Sequence, residues 1–103
     1  MDANEFKNKP KYINGKNIEE FENRELTIIG TASEIIKEGE PKKLCVCFDS
    51  LEIQLVLNQT NLITLINEFG SNTDSWRFKT VMLISVPGRF NGQPVKSVII
   101  KVV

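Results

Sequence analysis

"LEIQLVLNQTNLITLINEFG", Leu51 to Gly70, contains the change of period on which the fold turns. In its first half Leu51, Ile53, Leu55 and Leu57 alternate with Glu52 and Gln54, the two-residue period of a half-buried strand. In its second half Leu62, Leu65, Ile66 and Phe69 fall at i, i+3, i+4 and i+7, one stripe of a helix. Asn58 or Thr60 is placed to accept from the free N–H groups at the helix start, and Gly70 stands where a left-handed C-terminal cap belongs. One strand hands over directly to one helix.

Working upstream, "LCVCFDS" predicts a second strand with Leu44, Val46 and Phe48 in the core and Cys45 and Cys47 on the outer face. It is preceded by a polar turn, Lys37 to Lys43, holding Gly39 and Pro41. "ELTIIGTASEIIK" before that is rich in β-branched residues, and Gly30 inside it marks a bulge or a sharp bend. "NIEEFENRE" predicts a short turn of helix. Downstream, "SNTDSW" is a polar connection in which Thr73 can cap a turn carrying Trp76, a residue expected to plug the barrel end. The strands "FKTVMLISV" and "VKSVIIKVV" close the chain. They are joined through Asn91-Gly92, the favoured pair for a two-residue hairpin turn because both positions need positive φ. That turn pairs Phe90 with Gln93, Arg89 with Pro94 and Ser85 with Val98.

The order is strand, strand, strand, helix, strand, strand. It predicts an all-β fold with one helix: an OB-fold, the five-stranded Greek-key barrel with its helix between strands 3 and 4, in which a first strand bent at Gly30 reaches both halves. Residues 1–16, rich in Lys and Asn, read as a flexible basic N-terminal arm that becomes ordered near Tyr12-Ile13, and 17–103 as a single OB-fold domain.

Thirteen basic residues balance thirteen acidic ones, but unevenly along the chain. Ser75 to Val103 holds Arg77, Lys79, Arg89, Lys96 and Lys101 with no acid, whereas residues 19–74 hold four basic against eleven acidic residues. A basic C-terminal third can present a local positive field on a chain of zero net charge. No apolar run approaches the roughly 20 residues of a membrane helix, and the polar N-terminus lacks a secretory signal's apolar stretch, so a cytoplasmic location is expected.

The chain has no histidine, which removes the commonest general base, the usual nucleophile triads and most zinc sites. Cys45 and Cys47 lie two apart on one strand, a spacing poorly suited to a mutual disulfide, and read as reduced strand residues. The acids Glu19, Glu20, Glu22 and Glu25 form a solvated face. No glycine loop suited to phosphate occurs. The reading is non-catalytic, with no cofactor and no metal.

The expected function is weak single-stranded nucleic-acid binding, DNA or RNA, because an OB barrel offers the outer face of strands 2 and 3 and its two hairpin loops. Such a site needs cations for phosphates and aromatic faces for bases. Lys42 and Lys43 lie at the first hairpin loop, and Arg89, Phe90 and Lys96 at the second. Arg89 and Phe90 are adjacent on a strand and point to opposite faces, so Arg89 is the residue expected at a phosphate. Strand 3 offers no outward aromatic. The rival expectation is a protein partner or homodimer through the last hairpin, whose two faces, Val81, Leu83, Val98, Ile100 and Val102 against Met82, Ile84, Val86, Phe90, Val95 and Ile99, are both apolar.

"LVLNQTN", the helix ending "EFG", then "NTDSW", the hairpin with Phe90 before Gly92, and the "IIKV" ending together resemble a family of small bacteriophage and prophage proteins. The similarity runs from Tyr12 to Val102 and is most specific from Leu55 to Trp76. The chain departs from the family at "WRFK", where the family has a glycine near Phe78, so the turn into the fourth strand is expected to differ. The resemblance implies an OB-type domain of a mobile element and, by analogy of fold, a role in nucleic-acid transactions; it brings no chemistry with it.

Overall fold

The computed structural model describes residues 11–103. Strands β1 (Glu25–Glu34), β2 (Lys43–Phe48) and β3 (Gln54–Val56) precede helix α1 (Gln59–Phe69), and β4 (Thr80–Phe90) and β5 (Gln93–Val102) follow it. Short 3-10 turns lie at Ile18–Glu20 and Thr73–Trp76. The strands form one antiparallel sheet in the order β3-β2-β1-β4-β5, so the molecule is mostly β with one α-helix, as the alternation predicts.

β1 serves both halves of the sheet. Glu25 to Thr27 pair with β4 and Ile28 to Glu34 with β2. The register slips where Ile28 faces Phe48 but Gly30 faces Cys47, so the irregularity expected at Gly30 is a β-bulge that leaves Ile29 unpaired. The last hairpin keeps the expected register, Phe90 to Gln93, Arg89 to Pro94 and Ser85 to Val98, around a turn in which Asn91 (φ 51°) and Gly92 (φ 77°) are both left-handed.

The core joins Leu26, Ile28, Val46, Phe48, Leu55, Val81, Leu83 and Ile100 from the strands to Leu65 and Trp76. Trp76 is 1% exposed, and its indole N–H donates to the Gly70 carbonyl at 2.8 Å, tying the turn to the end of α1. Asn58 is the helix N-cap, accepting from Asn61 N–H, and Gly70 (φ 94°) ends the helix.

Three local expectations are corrected. The third strand is only three residues long: Ser50, at φ 64°, turns the chain through a Leu51 N–H bond to Phe48 O, leaving Leu51 and Ile53 against the core without ladder bonds. Asn72 rather than Thr73 caps the second turn: Thr73 is already its first residue, and the Asn72 side-chain oxygen accepts from Asp74 N–H at 3.0 Å. The helix keeps Leu62, Leu65 and Phe69 of its stripe on the core, but Asn61 is buried beside them and Ile66 meets solvent.

The burial of Asn61 serves the backbone of β5. Asn61, 1% exposed, donates from Nδ2 to Val98 O and accepts at Oδ1 from Ile100 N–H, each at 2.9 Å. A residue of a parallel strand opposite Ile99 would make the same two bonds, so one carboxamide stands in for a strand neighbour. Among the described residues no ladder joins β3 to β5, and the sheet is not closed.

From the other side the gap is met by the N-terminal segment. Ile13 N–H donates to Gln54 O and Gln54 N–H to Lys11 O, a parallel bridge that extends the sheet beyond β3. Asn14 and Asn17 then bracket a tight loop by exchanging side-chain to backbone hydrogen bonds. The loop presses Gly15 on β5, where an added Cβ would sit 2.3 Å from Lys96 O. Lys11 to Lys16 of the expected arm are therefore held against the sheet, while residues 1–10, with Lys7 and Lys9, lie outside the described residues. Ile18 and Phe21 enter the core, and Glu22 accepts from the N–H and hydroxyl of Ser85 on β4.

Candidate nucleic-acid interface

The β4–β5 register sets Arg89 opposite Pro94 and Lys96 opposite Pro87, so the two cations share one face of the hairpin. It is the face that carries Leu83 and Val98 further down, continued beyond the core towards solvent. Both side chains are exposed, but they are not equivalent. Lys96 Nζ lies 3.0 Å from Glu19 Oε1 on the 3-10 turn, whereas Arg89 makes no salt bridge among the described residues. Phe90 pairs in register with Gln93 at the start of the turn.

Lys42 and Lys43 are exposed at the other hairpin loop, and Lys43 opens β2 directly opposite Glu34 of β1. The fold does not merge the two loops. β4 runs antiparallel to β1 from Thr27 back past Glu25, so the Arg89 tip lies beyond one end of β1 and Lys42 beyond the other.

The outer face of β2 and β3 is partly covered. Cys45 is fully buried, and Tyr12, carried in by the N-terminal segment, sits beside Glu34 and Cys45. Partial burial first, and then these neighbours, hold the Tyr12 phenol above its ordinary pKa. Burial, followed by Glu34 and the neighbouring thiol, likewise raises Cys45, and burial and Glu34 raise Cys47, so both thiols stay protonated and unreactive near neutral pH. Both are free, and among the described residues no cluster of metal-ligating side chains exists.

The segment "WRFK", where the turn into the fourth strand is expected to differ, also forms an exposed surface as the chain enters β4. Phe78 is 75% exposed and adopts φ 67°, a left-handed conformation that is rare for a bulky side chain. Its backbone is pinned: Phe78 N–H donates to Ile28 O at 2.7 Å, and Lys79 O accepts from Ile28 N–H at 2.9 Å. Arg77 Cζ stands 5.9 Å from the Phe78 ring centre, and Lys79 Nζ 5.8 Å from that of Phe69. Beside them is the β1 bulge, with Ile29 41% exposed. The signal was present in the sequence as an aromatic between two cations, "RFK", but reading it required knowing that the ring faces water.

Among the described residues no helix is long and apolar enough to cross a membrane. No protein-family model matches the chain, and neither does any curated protein or solved structure.

Proposed function

We propose that this chain is an OB-type barrel whose function is weak, electrostatically driven binding of single-stranded nucleic acid, without catalysis, in the replication or recombination of a phage or prophage. The connectivity is the observation that carries the reading: a bulged β1 pairs with both β2 and β4, and the helix follows β3 and packs on β5. In this reading the partly open seam between β3 and β5 is filled by Asn61 on one side and by Lys11 to Gly15 on the other. The mobile-element origin rests on the resemblance of the "LVLNQTN", "EFG" and "NTDSW" segments.

Fluorescence anisotropy with a labelled single-stranded oligonucleotide over a salt series tests it. Binding that weakens with salt is expected, and no binding at low salt overturns the reading. For single strands each neutralised phosphate contributes about 0.7 to the slope of log K against log salt. Arg89→Gln should flatten that slope more than Lys96→Gln, since Glu19 already offsets the Lys96 charge. A second reading, a protein partner or second copy of the chain, is favoured by the other hairpin face, where Met82, Ile84, Val86 and Ile99 are only half-buried and Val95 is exposed. Mass that rises with concentration in light scattering, without nucleic-acid binding, would select it.

A further inference from the structure

We infer that the turn into β4, where the Phe78 backbone is bonded to Ile28 next to the Ile29-Gly30 bulge, is a base-stacking platform for single-stranded nucleic acid, distinct from the hairpin loops; this rests on the nucleic-acid reading above. Three independent features converge there. Phe78 combines a strained backbone with a ring left in water, and strain of this kind persists where the surroundings impose it and a function uses it. The ring contributes nothing to the core, so packing does not account for an aromatic at this position.

Gly30 is the second feature. Its φ is outside the left-handed region and an added Cβ would touch nothing within 4 Å, so neither conformation nor internal packing requires glycine. The bare backbone it leaves lies in a shallow cleft shared with Thr31, Thr73 and Arg77, a place where another molecule can approach the chain closely. The third feature is charge. Arg77 and Lys79 flank Phe78, and from Ser75 onward the chain carries no acid; Asp74, on the cleft rim, is the nearest acid in sequence. A base stacks on the ring face that Arg77 leaves free, while Arg77 and Lys79 reach the adjoining phosphates. Cations around an exposed aromatic fit a polyanion with π-faces better than an apolar protein surface.

The test compares a labelled oligothymidine with an abasic phosphodiester strand of the same length and charge, using the full chain, Phe78→Gly and Gly30→Ala. Both variants suit their backbone, and an unchanged far-ultraviolet circular dichroism spectrum confirms that they fold. Loss of one stacked base corresponds to about tenfold in affinity. The expected result is that the parent chain prefers oligothymidine about tenfold and that Phe78→Gly abolishes the preference without weakening abasic binding. Gly30→Ala should weaken oligothymidine binding while leaving thermal stability equal or higher. Equal parent affinity for the two strands, or a preference that survives Phe78→Gly, overturns the platform while leaving electrostatic binding intact. Binding to neither strand at low salt overturns both readings.

Discussion

Two side chains in this molecule sit where their chemical type would not place them. Asn61 is a polar residue in the buried face of a helix, tolerated because both ends of its carboxamide are satisfied by β5. Asn61→Ala would leave Val98 O and Ile100 N–H unpaired in the interior, and at roughly 1–3 kcal/mol for each such group the loss should be about 2–6 kcal/mol, read from urea denaturation. Phe78 is the opposite case, an apolar residue kept outside on a left-handed backbone that costs a non-glycine residue roughly 1–2 kcal/mol. Glycine there relieves the strain, gives up little burial and adds some unfolded-chain entropy. Phe78→Gly should therefore unfold at a temperature equal to or above that of the parent chain, whatever it does to binding.

The segment from Lys11 to Glu22 behaves as a strap, attached at β3, β5 and β4 in turn. Its middle attachment depends on Gly15, where any side chain meets the carbonyl of Lys96, a backbone atom that cannot swing aside. Gly15→Ala should cost about 1–3 kcal/mol, as overpacking does, and should speed amide exchange at Ile13 and Gln54, whose N–H groups hold the strap to β3. Its last attachment is sensitive to pH. The Ser85 hydroxyl and then the Ser85 N–H lower the Glu22 pKa from its ordinary value near 4.5; burial opposes them less strongly, and Lys96 adds a still weaker lowering. A depressed folded pKa means stabilisation that is complete above 4.5 and is lost as pH falls through the lowered value. Glu22→Gln should be less stable than the parent chain at neutral pH, and its stability should decline less steeply below pH 4.5 in an acid denaturation series.

Taken as one object, the chain has no net charge yet segregates its charge along the sequence, and the fold separates its cations further. Arg89 and Lys96 project from one hairpin, Lys42 and Lys43 stand at the other end of β1, and Arg77 and Lys79 lie at the entry to β4. A strand that engages one of these places makes few phosphate contacts at a time. A shallow salt slope, nearer to two phosphates than to six, is the expected outcome of the anisotropy series.

Much of this architecture was legible in local pattern. The apolar strand runs of β4 and β5, the Asn-Gly turn, the helix with its Asn58 and Gly70 ends and the irregularity in β1 all follow from interactions between residues close in the chain, so the pattern that encodes them is itself local. What escaped the pattern depends on partners far away in sequence. Asn61 bonds to β5 across 37 and 39 residues, Glu22 to Ser85 across 63, and Lys96 to Glu19 across 77. No periodicity reports such pairs, since a polar residue is written the same way whether it faces water or a buried carbonyl. The cations at the hairpin tip could be named from the sequence. Which of them is already neutralised, and which aromatic ring stands in water, was settled by how the strap and the β1 bulge pack against the sheet.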